Sequence, residues 1–209
     1  MAMTWRQIKD AVAAYAHRPT DLESLMPMFL EMAEQRIYTG ASEGDVPPLR
    51  LSSMLTVVNP ASATLPADFL EMKRVSVVMS PSYKKPLDFK PLENMGEQEN
   101  ASGSPSFFSL RANSLVFSPS FSQDVEIIYY AAFPALVADS DTNWLTNNAP
   151  AVYIAAILAE VGYYTRDDEL AQRELARFAS VMNSLQAQDD GNKHSGAQLR
   201  IMQDARRLI

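Results

Sequence analysis

Two groups of carboxylates have spacings at which chemistry is possible. Glu31 and Glu34 stand three residues apart, and Asp167, Asp168 and Glu169 are consecutive. A pair of carboxyl groups can hydrolyse a glycosidic bond, one protonating the leaving oxygen while the other activates water or attacks. Context gives both groups plainer roles. Glu31 and Glu34 fall on a predicted helix beside its inward stripe, and residues 167–169 occupy a first helical turn, where negative charge meets the positive end of the dipole. His17 and His194 are the only histidines, and neither has a partner at metal-ligand spacing. Both read as surface or loop residues. No GxSxG elbow is present, and the serines are scattered through loops. The chain has no cysteine, which excludes disulfides and thiolate metal sites and fits synthesis in a reducing cytoplasm. Tyr129-Tyr130 and Tyr163-Tyr164 have the ring surface to stack on bases. A net charge of −7, from 18 basic and 25 acidic residues, is the wrong sign for gripping nucleic acid over the whole surface. The tyrosines therefore read as core or subunit contacts, and no catalytic residue, metal or cofactor is expected.

The elements that would hold these residues are helices at the two ends of the chain. Residues 1–10 include Trp5, Arg6, Lys9 and Asp10 and lack the apolar run of an export signal. Thr4 and Gln7 have capping-box spacing, and Trp5, Ile8, Val12 and Tyr15 follow at steps of three and four, predicting a short amphipathic helix stopped by Pro19. A second helix is predicted from about Pro27, with Phe29, Met32, Ala33 and Ile37 inward and Gly40 just beyond its end. Further on, residues 149–164 are almost uniformly apolar, with Pro150 suited to a first turn. That run is shorter than the ~20 residues of a membrane span, so it reads as a helix covered nearly all round, with Ile154, Ile157, Leu158 and Val161 in core or subunit contact. One cover is a following helix capped by Thr165 and Asp168, whose seam is Ala171, Leu175, Phe178, Met182 and Leu185.

Between these ends the pattern changes to strands. Residues 71–79 and 124–133 are rich in β-branched and aromatic residues, and 107–117 reads as a hairpin turning at residues 112–114. Shorter strands are predicted near 49–58 and 86–89, and residues 94–106 as a loop. The fold class is α+β: a helical bundle made by residues 1–48 and 138–188, with an antiparallel β subdomain inserted at 49–137. The last part, 189–209, begins with a predicted linker at 189–196. A short segment with apolar Leu199, Met202, Leu208 and Ile209 and cationic Arg200, Arg206 and Arg207 follows, marginal as an isolated helix and suited to ordering on a partner.

Three stretches together resemble a family. They are "MPMFLEMAEQRIYTG" (26–40), "LPADFLEMKRVSV" (65–77) and "YYAAFPALVADSDTNWLTNNAPAVYIAAILAEVGYYTRDDELAQRE" (129–174). Their order is similar to that in the adaptor, or head-to-tail connector, proteins of short-tailed bacteriophages, over about residues 25–185. The family's usual second arginine after the first of these helices is replaced by Tyr38-Thr39-Gly40. The resemblance implies a structural virion protein made in the host cytoplasm and placed in the neck. About twelve copies would form a ring between the portal and a downstream tail or nozzle protein, with DNA passing through the lumen without specific binding and no membrane contact. It also implies that a neighbouring subunit helps to cover the apolar helix, with Trp144 beside it. The tail, through Leu199, Arg200, Met202, Arg206, Arg207 and Leu208, would dock on the portal. Two other functions suit parts of the residue pattern: a cell-wall glycosidase built on the carboxylates, and a single-strand-binding module built on the tyrosine pairs.

Overall fold

The computed structural model describes residues 2–17, 21–41, 46–58, 64–95, 105–119 and 124–194. Helix α1, Trp5–Tyr15, starts with the expected box: the Gln7 amide donates to Thr4 Oγ1 at 3.3 Å, and the Thr4 amide donates to the Gln7 side chain at 2.9 Å. Trp5, Ile8 and Val12 are buried, but Tyr15 is 54% exposed, its ring facing Arg177 of the last helix at 5.9 Å instead of entering the core. Pro19, the expected stop, lies outside the described residues. Helix α2, Met26–Thr39, carries Pro27 in its first turn and buries Met26, Phe29, Leu30, Ala33 and Ile37. Met32 was expected inward and is instead 44% exposed, as is Met28, one turn earlier on the same face. Gly40 ends the helix at φ +81°, where an added Cβ would lie 2.6 Å from the Val46 carbonyl, so only glycine fits.

The middle of the chain forms two sheets. One has the order β1–β7–β2–β3, from Leu55–Val58, Val125–Ala131, Phe69–Ser80 and Tyr83–Pro86, all antiparallel. The other is β4–β5–β6, from Asp88–Phe89, Phe107–Arg111 and Ser114–Ser118; β5–β6 is the expected hairpin, and β4 runs parallel to β5. The strand expected over 49–58 contracts to β1, because Leu49, Leu51 and Met54 turn inward around a short 3-10 turn, Ser52–Met54. Val75, Val77, Leu87, Phe108, Phe117 and Ile127 belong to a core of the β part, whereas Tyr130 belongs to the core of the bundle. Strand β7 thus serves both cores and is buried on both faces, Glu126 included.

The chain returns through α3, Trp144–Asn148, which the periodicity did not reveal. Asn143 and Thr146 cap it reciprocally, and Trp144 stacks on Phe133 at 5.9 Å. Helix α4, Pro150–Thr165, follows at once, and every residue from Val152 to Gly162 is buried. The cover comes from the same chain: α5 along one side, α2 and α1 along others, and α3 at the start. The expectation that a neighbouring subunit must complete this cover is corrected; Ile154, Ile157, Leu158 and Val161 are core residues of one copy.

Helix α5, Asp168–His194, is capped by Asp167, whose Oδ1 accepts the Leu170 amide at 3.0 Å, and not by Thr165, whose hydroxyl turns back to the Val161 carbonyl. Ala171, Phe178 and Met182 are buried along its seam, with Leu175 and Leu185 half-buried. The helix also overruns the predicted linker as far as His194. Asp189 explains part of this: it accepts the Ser52 amide and hydroxyl at 3.0 and 3.2 Å and pairs with Lys193 at 2.8 Å, tying the last turns to the body. Residues 195–209 lie outside the described part. None of the described helices is long and apolar enough to cross a membrane.

Two substitutions test this packing. Ile157→Asp places an unpaired charge among residues fully enclosed within one copy, so the isolated chain should lose several kcal/mol, about 3 or more. Gly162→Ala puts a Cβ 2.7 Å from the Ala171 amide nitrogen. The resulting strain, about 1–3 kcal/mol, should outweigh alanine's helix preference of up to ~1 kcal/mol. Urea unfolding of each variant, at a concentration where the chain is monomeric, reads both losses.

Candidate interaction surfaces

The residues singled out for chemistry are dispersed by the fold. Glu31 is exposed on α2, Asp167 is occupied as the α5 cap, and Asp168 and Glu169 lie exposed in the first turn of α5. His17 is exposed after α1, and His194 is the last residue of α5. Among the described residues no three acidic or histidine side chains gather as metal ligands. Tyr129 and Tyr130 are buried, while Tyr163 and Tyr164 are 43% and 57% exposed. Trp144 is half-buried on Phe133, and Leu199, Arg200, Met202, Arg206, Arg207 and Leu208 lie outside the described residues.

Polar groups collect where the β part rejoins the bundle. The Tyr153 hydroxyl donates to Glu34 Oε1 at 3.2 Å and accepts from the Asn143 side-chain amide at 2.9 Å, and that amide also donates to the Pro134 carbonyl at 3.2 Å. The Tyr38 hydroxyl accepts the Phe133 amide at 3.0 Å. Burial pushes Tyr38 up to about 12 and raises Tyr153 further. Burial likewise raises the Glu34 carboxyl, with the Tyr153 hydrogen bond opposing and the nearby Glu31 charge adding. The folded chain therefore binds this proton more readily than the unfolded one, a cost present at neutral pH and relieved as pH falls through the raised value. The network joins α2, α4 and the 133–143 connection, which makes it a structural joint.

Among the described residues three buried glutamates were not anticipated from the sequence, because charge alone gives no sign of burial. Glu160, in the middle of the apolar helix α4, receives both Arg36 Nε at 3.0 Å and Nη2 at 2.6 Å on one oxygen. Glu126 lies beneath Lys84 and Arg74, and Glu174 between Arg173 and Arg177. Only the interruption of the apolar run by Glu160 could have flagged one of them.

The exposed apolar residues of the helical part are more telling. Met28, Met32, Tyr163 and Tyr164 are each between 43% and 57% exposed. Tyr163 is shared by two open grooves. One, of about 520 Å3, lies against α2 and includes Met32, Gln35, Thr39 and the Arg36–Glu160 pair. The other, of about 500 Å3, lies against α5 and includes Asp168, Ala171, Leu175 and Ala179. Open grooves of this kind, lined by Met, Tyr and small residues and rimmed by polar groups, have the composition of protein-docking surfaces.

The Arg36–Glu160 pair can be tested on its own. Arg36→Met leaves a carboxylate buried without its partner, for an expected loss of about 3–5 kcal/mol, whereas Arg36→Met with Glu160→Leu should recover most of that loss. Denaturant unfolding of the two variants measures the difference.

Comparison with known families gives a match that spans the fold. The model of the SU10 adaptor protein family matches residues 3–201, nearly the whole of the 209-residue chain. A comparison with curated proteins gives no match. A match that takes in both helical ends and the β insertion covers the architecture as a unit, and the chain accordingly belongs to the SU10 adaptor protein family of phage adaptors.

Proposed function

We propose that this phage adaptor is a non-enzymatic component of the virion neck, joining the portal to the tail as a ring of identical copies around the DNA path. The observation that carries the reading is the flank around Tyr163: a bundle that satisfies its own core still presents four large apolar side chains and two grooves to solvent. A flank of this kind marks an interaction surface, and closed rings are built from patches repeated from copy to copy. The net charge of −7 suits a channel component, since few cations means few phosphates held and little drag on moving DNA. A glycosidase is disfavoured because Asp167 is occupied as a helix cap and Glu34 as a hydrogen-bond acceptor in the joint.

In this reading the C-terminal segment, with Leu199, Met202, Arg206 and Arg207, contacts the portal. Because Asp189 and Gln186 tie α5 to the 48–52 segment, a clean test cuts the chain after His194 and leaves those contacts in place. The truncated protein should keep its melting temperature and lose most of its affinity for purified portal. Undiminished portal binding would remove the docking role from this segment.

A further inference from the structure

The flank around Tyr163 has a counterpart on the β insertion. Residues 73–90 contain five cations, Lys73, Arg74, Lys84, Lys85 and Lys90, and a single carboxylate, Asp88; with the buried Glu126 that pairs with Lys84 and Arg74 counted as well, the patch keeps an excess of three positive charges in an acidic chain. The same stretch exposes Tyr83 and Phe89, each at 58%, and Met79 at 46%. It forms edges of both sheets, β3 of the four-stranded one and β4 of the three-stranded one. The helical segments have the opposite balance: residues 1–48 hold seven carboxylates against four cations, and residues 138–188 seven against three. On the flank itself, Glu31 lies between Met28 and Met32 on α2, and Asp168 lines a groove with Tyr163, with Glu169 exposed next to it. Among the described residues none of these three carboxylates has an ion-pair partner, nor does Lys73.

We infer that the basic, aromatic edge at residues 83–90, with Lys73, docks on the acidic Met28, Met32 and Tyr163 flank of a second copy of this chain. Both patches are exposed, so neither covers the other within one copy. Each supplies what the other lacks: cations with Tyr and Phe on one side, carboxylates with Met and Tyr on the other. Contact between two different patches is heterologous, the kind that repeats from copy to copy and closes into a ring where the rotation allows. The inference rests on the reading of the protein as a ring of copies and names the two surfaces that meet. A basic edge would also attract DNA, but the exposed Met79, Tyr83 and Phe89 call for an apolar counterpart, and the flank offers one.

Charge reversal on full-length protein separates these possibilities. One variant carries Lys73→Glu and Lys90→Glu, the other Glu31→Lys and Glu169→Lys. Assembly is followed by sedimentation at low salt, free and on purified portal, with melting curves confirming the fold. Each variant alone should associate at least about tenfold more weakly than the parent. An equimolar mixture should recover assembly, because every reversed edge then meets a reversed flank and every native edge a native flank. If the edge reversals unfold the chain, Lys73→Gln with Lys90→Gln replaces them, and if the flank reversals do, Glu31→Gln with Glu169→Gln replaces them; either neutral pair should lower the salt sensitivity of assembly relative to the parent. Undisturbed assembly of both variants, or a mixture that recovers nothing, overturns the surface pairing and leaves the ring intact. Loss of DNA retention without loss of association identifies the edge as a nucleic-acid surface and also overturns the pairing. A parent chain that stays monomeric on the portal overturns the ring and the pairing together.

Discussion

Everything else in this molecule is arranged around the enclosure of α4. Eleven consecutive buried residues, Val152 to Gly162, leave that helix no wet side, and each large aliphatic side chain among them contributes roughly 1.5–3 kcal/mol only while it stays covered. A helix apolar all round needs neighbours all round. The neighbours come from both ends of the chain, α1 and α2 before the β part and α3 and α5 after it. The two ends must therefore meet, and whatever lies between must leave the bundle and return to it at adjacent points. The pairing of β1 with β7, in which Leu55 faces Tyr130, is that point of departure and return. The inserted position of the β part follows from the burial of α4 and needs no separate cause.

This constraint also explains what could be read in the sequence. The apolar run at 149–164, its proline start, the capping box at Thr4 and the glycine after α2 are local signals, and each has its local consequence in the structure. The outward position of Met32 was not legible. Methionine counts as apolar in any periodicity, and its direction depends on how α2 is rotated against α4, which is a tertiary matter. Helix α3 is a single short turn between β7 and α4, too brief for a periodic signal. The persistence of α5 beyond Asp189 is another tertiary outcome. Glycine and asparagine at 191 and 192 argue for a break, and the Asp189 contact with Ser52, 137 residues away in sequence, argues more strongly against it. The mistaken need for a neighbouring subunit over α4 has a related origin. The bundle of helices from both chain ends was readable from their periodicity, whereas how completely α1, α2 and α5 close around α4 depends on crossing angles that periodicity does not give.

The buried Arg36–Glu160 pair supplies something that apolar packing cannot. The surface of α4 is an almost even run of Ala, Ile, Leu and Val, and a helix sliding along it by one turn, ~5.4 Å, would bury comparable area. Such a surface holds its partners firmly but specifies their register poorly. An ion pair in the same place adds little net stability, because desolvation of both groups offsets most of the attraction. It does penalise every register except one: shifting α2 by a turn in either direction would set Met32 or Gly40 against Glu160 and leave both charges without partners. With Arg36 held there, Phe29, Ala33 and Ile37 must face the core, and Met28 and Met32 must face away from it. The apolar flank on which the docking argument depends is thus a consequence of one carboxylate within the most apolar helix of the chain. Loss of that pair would disturb the outer surface of α2 as well as its packing.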